Sequence, residues 1–62
     1  MKFAMELKDR RMARNWSQKQ LAIKTGINRQ TIAAYETGRI QPSLQKFYLI
    51  CSAFKINEGL LN

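Results

Sequence analysis

The sequence predicts an all-α fold, a compact bundle of short helices. Apolar residues recur at three- to four-residue spacing along the chain, as they do in helices with one buried face. Ser17, Asn28 and Ser43 stand before such segments as N-cap residues, and Gly26 and Gly38 follow two of them. The connections are short, as in helical bundles, and no alternating pattern predicts a strand.

The first predicted helix covers about residues 3–15. This segment is rich in good helix formers, and apolar residues recur on one side of it together with Arg11. An arginine on a buried side requires a carboxylate, and Glu36 is the candidate partner in a structural ion pair. Asn15 can end the helix because asparagine tolerates the left-handed conformation.

The second and third predicted helices cover residues 18–24 and 29–36, joined by a tight turn at Gly26. Ser17 and Gln20 form a capping-box pattern at the start of the second helix. Apolar residues on both helices are expected to face the core: Leu21, Ala22, Ile23, Ile32 and Tyr35.

The fourth predicted helix covers residues 44–54 and begins after Pro42-Ser43. Its apolar residues form a wide stripe that is expected to face the core: Leu44, Phe47, Ile50, Cys51 and Phe54. Cys51 is therefore interpreted as a small buried apolar residue. Trp16 is expected to fill the space between the first two helices.

The chain carries 11 Lys and Arg against 4 Asp and Glu, a formal net charge of +7. Residues 1–31 contain eight of the basic residues and two of the acids. This balance favours a polyanionic partner, although a generic basic protein would share it. An anionic membrane fits less well, because the basic residues do not follow one face of a long amphipathic helix.

Other functional classes find little support. The sequence has no histidine, no clustered carboxylates and no phosphate-cradling glycine loop, and Cys51 has no partner for an internal disulfide. No enzymatic activity, metal, cofactor or small-molecule ligand is therefore expected. The start MKFAMELKDRR lacks the apolar run of a signal sequence, and no stretch is long enough to span a bilayer. These features predict a cytoplasmic protein without a membrane partner.

The stretch from Ser17 to Glu36 has the form of a device that reads the edges of DNA bases. A helix about 10–12 Å across fits the major groove, and a tight turn lets one helix cross the backbone while the next enters the groove. The candidate base-reading residues lie in the first turn of the third helix and one turn later: Asn28, Arg29, Gln30, Ala33 and Ala34. Arginine can donate two hydrogen bonds to guanine, and glutamine can pair with adenine. The two alanines are small enough for close approach to a thymine methyl, and Arg29 can alternatively grip a phosphate.

These residues resemble those of phage-repressor-type helix-turn-helix domains, the Cro/C1 or XRE family. The matching positions run in register through residues 7–61: Arg11, Trp16-Ser17-Gln18, Leu21-Ala22, Gly26-Ile27, Thr31-Ile32, Tyr35-Glu36, Gly38, Pro42-Ser43-Leu44 and Phe54. Each motif alone is weak, whereas the whole set is specific. The resemblance implies a lambda-repressor-like bundle of five helices in one domain over residues 1–62, with the fifth helix at about 58–61.

The resemblance also implies roles for individual residues. Arg29 and Gln30 match base-reading positions, and Ala34 matches a position where relatives often carry a polar reader. Gln18, Thr37 and Arg39 match phosphate contacts, and Gln18 also steadies the first reading side chain. Lys19 and Thr31 are further candidate phosphate contacts, with a structural role as the alternative for Thr31. Arg11 and Glu36 match a partly buried ion pair. A weak dimer contact is expected from Leu60 and Leu61, although Glu58 departs from the apolar residue usual before the final turn.

The predicted function is therefore that of a sequence-specific transcriptional regulator, a repressor or a Cro-like controller. It is expected to bind a double-stranded DNA operator as a homodimer on a two-fold site, at the nucleoid of a bacterial or phage-infected cell. The alternative is a protein-interaction module, or an antitoxin-like partner, that uses the same fold. Selection of bound sequences from random duplexes would separate the two.

Overall fold

The computed structural model describes the backbone of residues 2–57 and the side chains of residues 3–55. This part of the chain forms four α-helices, α1 (Lys2–Ala13), α2 (Gln18–Thr25), α3 (Arg29–Glu36) and α4 (Leu44–Asn57). The all-α class is confirmed for these residues. The predicted count of five helices is not matched, because four are present and the predicted fifth, at residues 58–61, lies outside the described residues. None of the four is long and apolar enough to cross a membrane.

The end of α1 is a hydrogen-bonded cap around a left-handed asparagine. Asn15 has φ +59°, which confirms the conformation predicted for it. Its N–H donates to the Met12 carbonyl at 3.0 Å, and the N–H of Trp16 donates to the Arg11 carbonyl at 3.1 Å. These bonds satisfy carbonyls that the helix end would otherwise expose. The helix therefore ends at Ala13, before the predicted boundary at residue 15.

Local capping explains where α2 and α3 begin and end. Ser17 Oγ accepts from the Gln20 N–H at 3.0 Å, and Gln20 Oε1 accepts from the Ser17 N–H at 2.7 Å, so the predicted capping box is confirmed. Gly26, with φ +75°, ends α2, and Gly38, with φ +78°, follows the last turn of α3. Both glycines hold left-handed conformations that most residues adopt only with strain. α3 is therefore limited to a short, well-defined segment.

The core lies where the four helices meet. A single cluster of buried side chains joins them: Leu7, Leu21, Ile27, Ile32, Tyr35, Ile50 and Phe54. Leu21 of α2 and Ile32 of α3 are both fully excluded from solvent. Burying a side chain of this size contributes about 1.5–3 kcal/mol relative to leaving it exposed. The pair therefore fixes how α2 and α3 pack against each other.

Two predictions about the core are wrong. Ile23 is 71% exposed, so it lies on the outer side of α2. The apolar stripe of α4 divides, because its later half, with Ile50 and Phe54, packs on α2 while Leu44 is 85% exposed. Phe47 is 41% exposed, and Cys51 is exposed as well. α4 therefore carries more apolar residues than can be buried on the side that faces the other helices.

Trp16 is held against α4. Its ring stacks on Phe54 with the centroids 5.3 Å apart and 19° between the planes. The Arg14 guanidinium lies 4.8 Å from the Phe54 ring centroid, and Lys24 Nζ lies 4.7 Å from the Trp16 ring centroid. Such cation–π contacts contribute about 0.5–1 kcal/mol at exposed sites. Trp16 thus packs the connection between α1 and α2 against α4.

Candidate functional site

The candidate site is built on α2, the turn at Gly26 and α3. Thr25 closes the turn from inside: its hydroxyl donates to the Leu21 carbonyl at 2.9 Å and accepts from the Ile27 N–H at 3.2 Å. Ile27 follows the turn and is buried with 4% exposure. A buried side chain on one side of the turn and a buried hydroxyl on the other prevent the turn from opening. The two helices are therefore held in one relative orientation.

The first turn of α3 presents the predicted reading residues to solvent. Asn28, Arg29 and Gln30 are all exposed. Asn28 Oδ1 accepts from the Gln30 N–H at 2.7 Å, so the Asn28 side chain is the N-cap of α3. This bond occupies one of the two acceptor positions of Oδ1, so the two side-chain N–H groups of Asn28 are the main donors available for a base contact. Arg29 and Gln30 extend from a capped helix end.

Ala34 is a correction to the predicted reading set. Its side chain is 4% exposed and belongs to the core, whereas Ala33 is half-buried. Ile32, Ala34 and Tyr35 are all buried, so α3 packs against the bundle over a wide side, roughly 160° of its circumference, that includes position 34. A buried methyl is not available to a thymine methyl. The small residue of α3 that retains outward exposure is Ala33.

The predicted phosphate contacts differ in their exposure. Lys19 in the first turn of α2 and Arg39 after α3 are exposed, whereas Gln18 and Thr31 are half-buried. Thr37 is exposed, but its hydroxyl donates to the Ala34 carbonyl at 3.1 Å. A contact from this hydroxyl proton to a phosphate requires that bond to be given up. Lys19 and Arg39 are thus the cations near the two ends of residues 17–39, which we call the α2–α3 unit.

Arg11 and Glu36 form a bidentate ion pair that ties α1 to the end of α3. Arg11 Nε donates to Glu36 Oε2 at 2.6 Å, and Nη2 donates to Glu36 Oε1 at 3.0 Å. Nη1 donates to the Trp16 carbonyl at 2.8 Å. The two side chains are 11% and 3% exposed, respectively. The pair therefore has the fork geometry and the partial burial that make such bonds strong.

The ion pair also affects the charge state of Arg11. Its hydrogen bonds to Glu36 raise the pKa of the guanidinium, with a further favourable charge interaction, against the opposing effect of burial. A raised folded-state pKa stabilises the fold below the pKa of arginine in the unfolded chain, and this contribution is lost only as the pH rises through the folded-state pKa. The Arg11 contribution is therefore constant at neutral pH.

The charge of the α2–α3 unit is one-sided at its surface. Residues 17–39 contain one acid, Glu36, and four basic residues, Lys19, Lys24, Arg29 and Arg39. Glu36 is buried and paired with Arg11, whereas all four basic residues are exposed. The unit therefore presents positive charge without an exposed carboxylate among these residues. Such a surface attracts a polyanion.

One contact at the site was not anticipated from the sequence. Gln18 Nε2 donates to Glu36 Oε1 at 3.1 Å, so the first residue of α2 touches the last residue of α3. The buried hydroxyl of Thr25 was also missed. Neither contact can be predicted from neighbouring residues. A threonine in a helix is common, and Gln18 and Glu36 are 18 positions apart in the sequence. Leu60 and Leu61, the predicted dimer contact, lie outside the described residues.

Comparisons with known proteins agree with one another. A family model described as helix-turn-helix matches residues 7–61. An uncharacterized HTH-type transcriptional regulator of Methanocaldococcus jannaschii is 41% identical over 51 residues, which cover 82% of this chain and 77% of that protein. An uncharacterized HTH-type transcriptional regulator of Bacillus subtilis is 39% identical over 51 residues, with the same coverage of 82% and 77%. No solved structure was found to match the chain significantly.

Proposed function

The chain belongs to the helix-turn-helix family of the Cro/C1 (XRE) type, and from this premise we propose that it is a sequence-specific regulator that reads double-stranded DNA with the first turn of α3. The observation that carries the proposal is the exposure of Arg29 and Gln30 at a capped helix end. The exposed charge around them is positive. α3 would enter the major groove while α2 crosses the backbone. Regulation would follow from occupancy of the operator.

Binding as a homodimer is part of the proposal. One copy offers few polar readers, since Ala33 is apolar, Ala34 is buried and Asn28 is partly committed to capping. Two copies on a two-fold site double the number of base contacts, with half-site centres about 34 Å apart. The relatives named as transcriptional regulators support the class of function, and the positive charge supports the nucleic-acid partner.

The proposal is tested by selecting bound duplexes from a random pool. The expected result is an enriched sequence with two-fold symmetry, because each copy reads one half-site. Enrichment of an unsymmetrical sequence would support sequence-specific binding to DNA and would contradict binding as a homodimer. If no sequence is enriched while binding to all duplexes persists, the proposed specificity is wrong.

A protein-interaction module is the second candidate, and one observation favours it. Leu44, Phe47 and Tyr48 of α4 are 85%, 41% and 69% exposed at three- to four-residue spacing. Exposed apolar stripes of this kind occur where a helix meets another protein. The exposed Arg29 and Gln30 at the start of α3 favour DNA instead, so a selection without enrichment is the result that would favour this candidate.

Arg29→Ala is expected to weaken binding to the selected duplex by about 1–3 kcal/mol and to relax preference at one base pair. The reason is the loss of two hydrogen bonds from the guanidinium to one base edge. Binding is measured by fluorescence anisotropy on the selected duplex and on duplexes changed at single positions. Lys46→Ala on α4 is the matched control for lost charge. An equal loss on every duplex would mean that Arg29 contacts phosphate.

Arg39→Ala is expected to weaken binding to all sequences and to reduce the salt slope by about one. A phosphate contact from a cationic side chain releases a counterion, so removal of that side chain changes the dependence of affinity on salt concentration. Titrations at several salt concentrations measure the slope for the wild type, Arg39→Ala and Lys46→Ala. A slope identical to that of the wild type would mean that Arg39 does not contact a phosphate.

A further inference from the structure

Glu36 makes more contacts than an ion pair between two helices requires. Its carboxylate accepts two hydrogen bonds from Arg11, at 2.6 and 3.0 Å, and a third from Gln18 Nε2 at 3.1 Å. The side chain is 3% exposed, so these bonds form away from solvent. The carboxylate therefore joins α1, the start of α2 and the end of α3 at one point.

The position of Glu36 is unfavourable for its own helix. It is the last residue of α3, where the negative end of the helix dipole repels a carboxylate. Gln18 is the first residue of α2, where the positive end of that dipole attracts one. The contact with Gln18 thus places Glu36 beside the helix end that suits its charge. Glu36 therefore interacts with the start of α2 as well as with α1.

The contact also fixes which way the Gln18 amide points. A carboxylate only accepts hydrogen bonds, so the amide of Gln18 must turn its nitrogen, and not its oxygen, toward Glu36. The remaining N–H of Nε2 and the Oε1 atom are then held in set directions. Gln18 is next to the exposed Lys19, in the turn of α2 that the proposed function places on the DNA backbone.

We propose that Glu36 is a positioning residue for DNA binding, which orients the Gln18 amide so that its second N–H donates to a phosphate oxygen. This inference rests on the proposed function, because it concerns the contact that α2 would make with the DNA backbone. Arg11 supports it by holding the carboxylate in place through two hydrogen bonds. The ion pair then supports the binding surface as well as the fold.

Glu36→Gln separates positioning from net charge by the sign of its effect. Removing one negative charge from the protein makes binding to a polyanion tighter. Loss of the oriented Gln18 amide makes binding weaker, by about tenfold for one hydrogen bond to a charged group. Glu6→Gln on α1 is the matched control, because Glu6 is exposed and loses the same charge. The control is expected to bind as tightly as the wild type or slightly more tightly.

The experiment measures affinity for the selected duplex with Glu36→Gln, Gln18→Ala and the double variant, after circular dichroism has shown each to be folded. We expect about tenfold weaker binding for each single variant and no further loss in the double variant. Because glutamine is neutral, Gln18→Ala should leave the salt slope unchanged. Glu36→Gln binding as tightly as Glu6→Gln overturns the inference. So does a double variant in which the two losses multiply.

Two further results keep the test decisive. If Glu36→Gln does not fold, Gln18→Ala retains the ion pair, and unchanged affinity in that variant alone overturns the inference. In the wild type without DNA, Glu36 should slow solvent exchange of the Gln18 side-chain amide protons, measured by NMR; fast exchange also overturns it. A wild type that binds no duplex overturns the proposed function as well, whereas tight binding by Glu36→Gln overturns this inference alone.

Discussion

Glu36→Ala is expected to lower the free energy of unfolding by about 3–5 kcal/mol, the cost of removing one partner from a buried pair. The side chain of Arg11 is 11% exposed and loses both of its carboxylate bonds, so its guanidinium is left as a poorly solvated charge. Gln18 Nε2 loses its acceptor at the same time. A domain of this size has a total stability of roughly 3–9 kcal/mol. The variant is therefore expected to be largely unfolded, or close to it, at 25 °C.

Urea denaturation followed by circular dichroism measures this loss. Glu6→Ala is the control, because an exposed acid on α1 is expected to change stability by no more than about 0.5 kcal/mol. Trp16 fluorescence reports the same transition, since the Trp16 carbonyl accepts from Arg11 and its ring stacks on Phe54. A loss below about 1 kcal/mol would be the value of a surface ion pair and would contradict the burial of this one.

Leu21→Ala is expected to lower the free energy of unfolding by about 2–5 kcal/mol. Leu21 is 0% exposed and lies in the cluster that joins α2 to α3 and α4. Truncation removes buried methyl groups and leaves a cavity that the surrounding helices fill only in part. Because Leu21 helps to set the packing of α2 on α3, DNA affinity is expected to fall along with stability.

Ile23→Ala provides the matched control for Leu21→Ala on the same helix. Ile23 is 71% exposed, and the replacement removes a branched aliphatic side chain in both variants. Its effect on stability is expected to stay within about 0.5 kcal/mol, since alanine also has the higher helix propensity. Thermal and urea denaturation of the two variants side by side check the difference. Equal losses would mean that the two sides of α2 are assigned incorrectly.

Much of the fold follows from local chemistry that is visible in the sequence. The capping box of Ser17 and Gln20 and the left-handed Asn15 both appear where they were predicted. Each depends on residues within a few positions of one another, so no knowledge of the packing is needed to find them. The same holds for Asn28, whose capping bond starts α3 just before the candidate reading residues.

The burial of apolar side chains could be predicted only in part. α4 has apolar residues on more than one side, and periodicity alone does not say which side meets a neighbour. The structure buries Ile50 and Phe54 and leaves Leu44 and Phe47 exposed. Ala34 is buried although its predicted role required exposure. Sequence alone does not separate the two, because a small residue fits either a DNA-facing surface or a close helix contact. Its burial depends on how closely α3 approaches the rest of the bundle.

The sequence predicts the helix class, the limits of the short helices around Gly26, the positive charge and the family. All of these reside in local spacing, composition and register. The sequence also predicts the Arg11–Glu36 pair, whereas only the packing of the helices brings Gln18 to the same carboxylate. Only the packing turns Ala34 inward, although its predicted role required exposure. Contacts between distant residues depend on the angles at which helices pack, and those angles are set by the whole core.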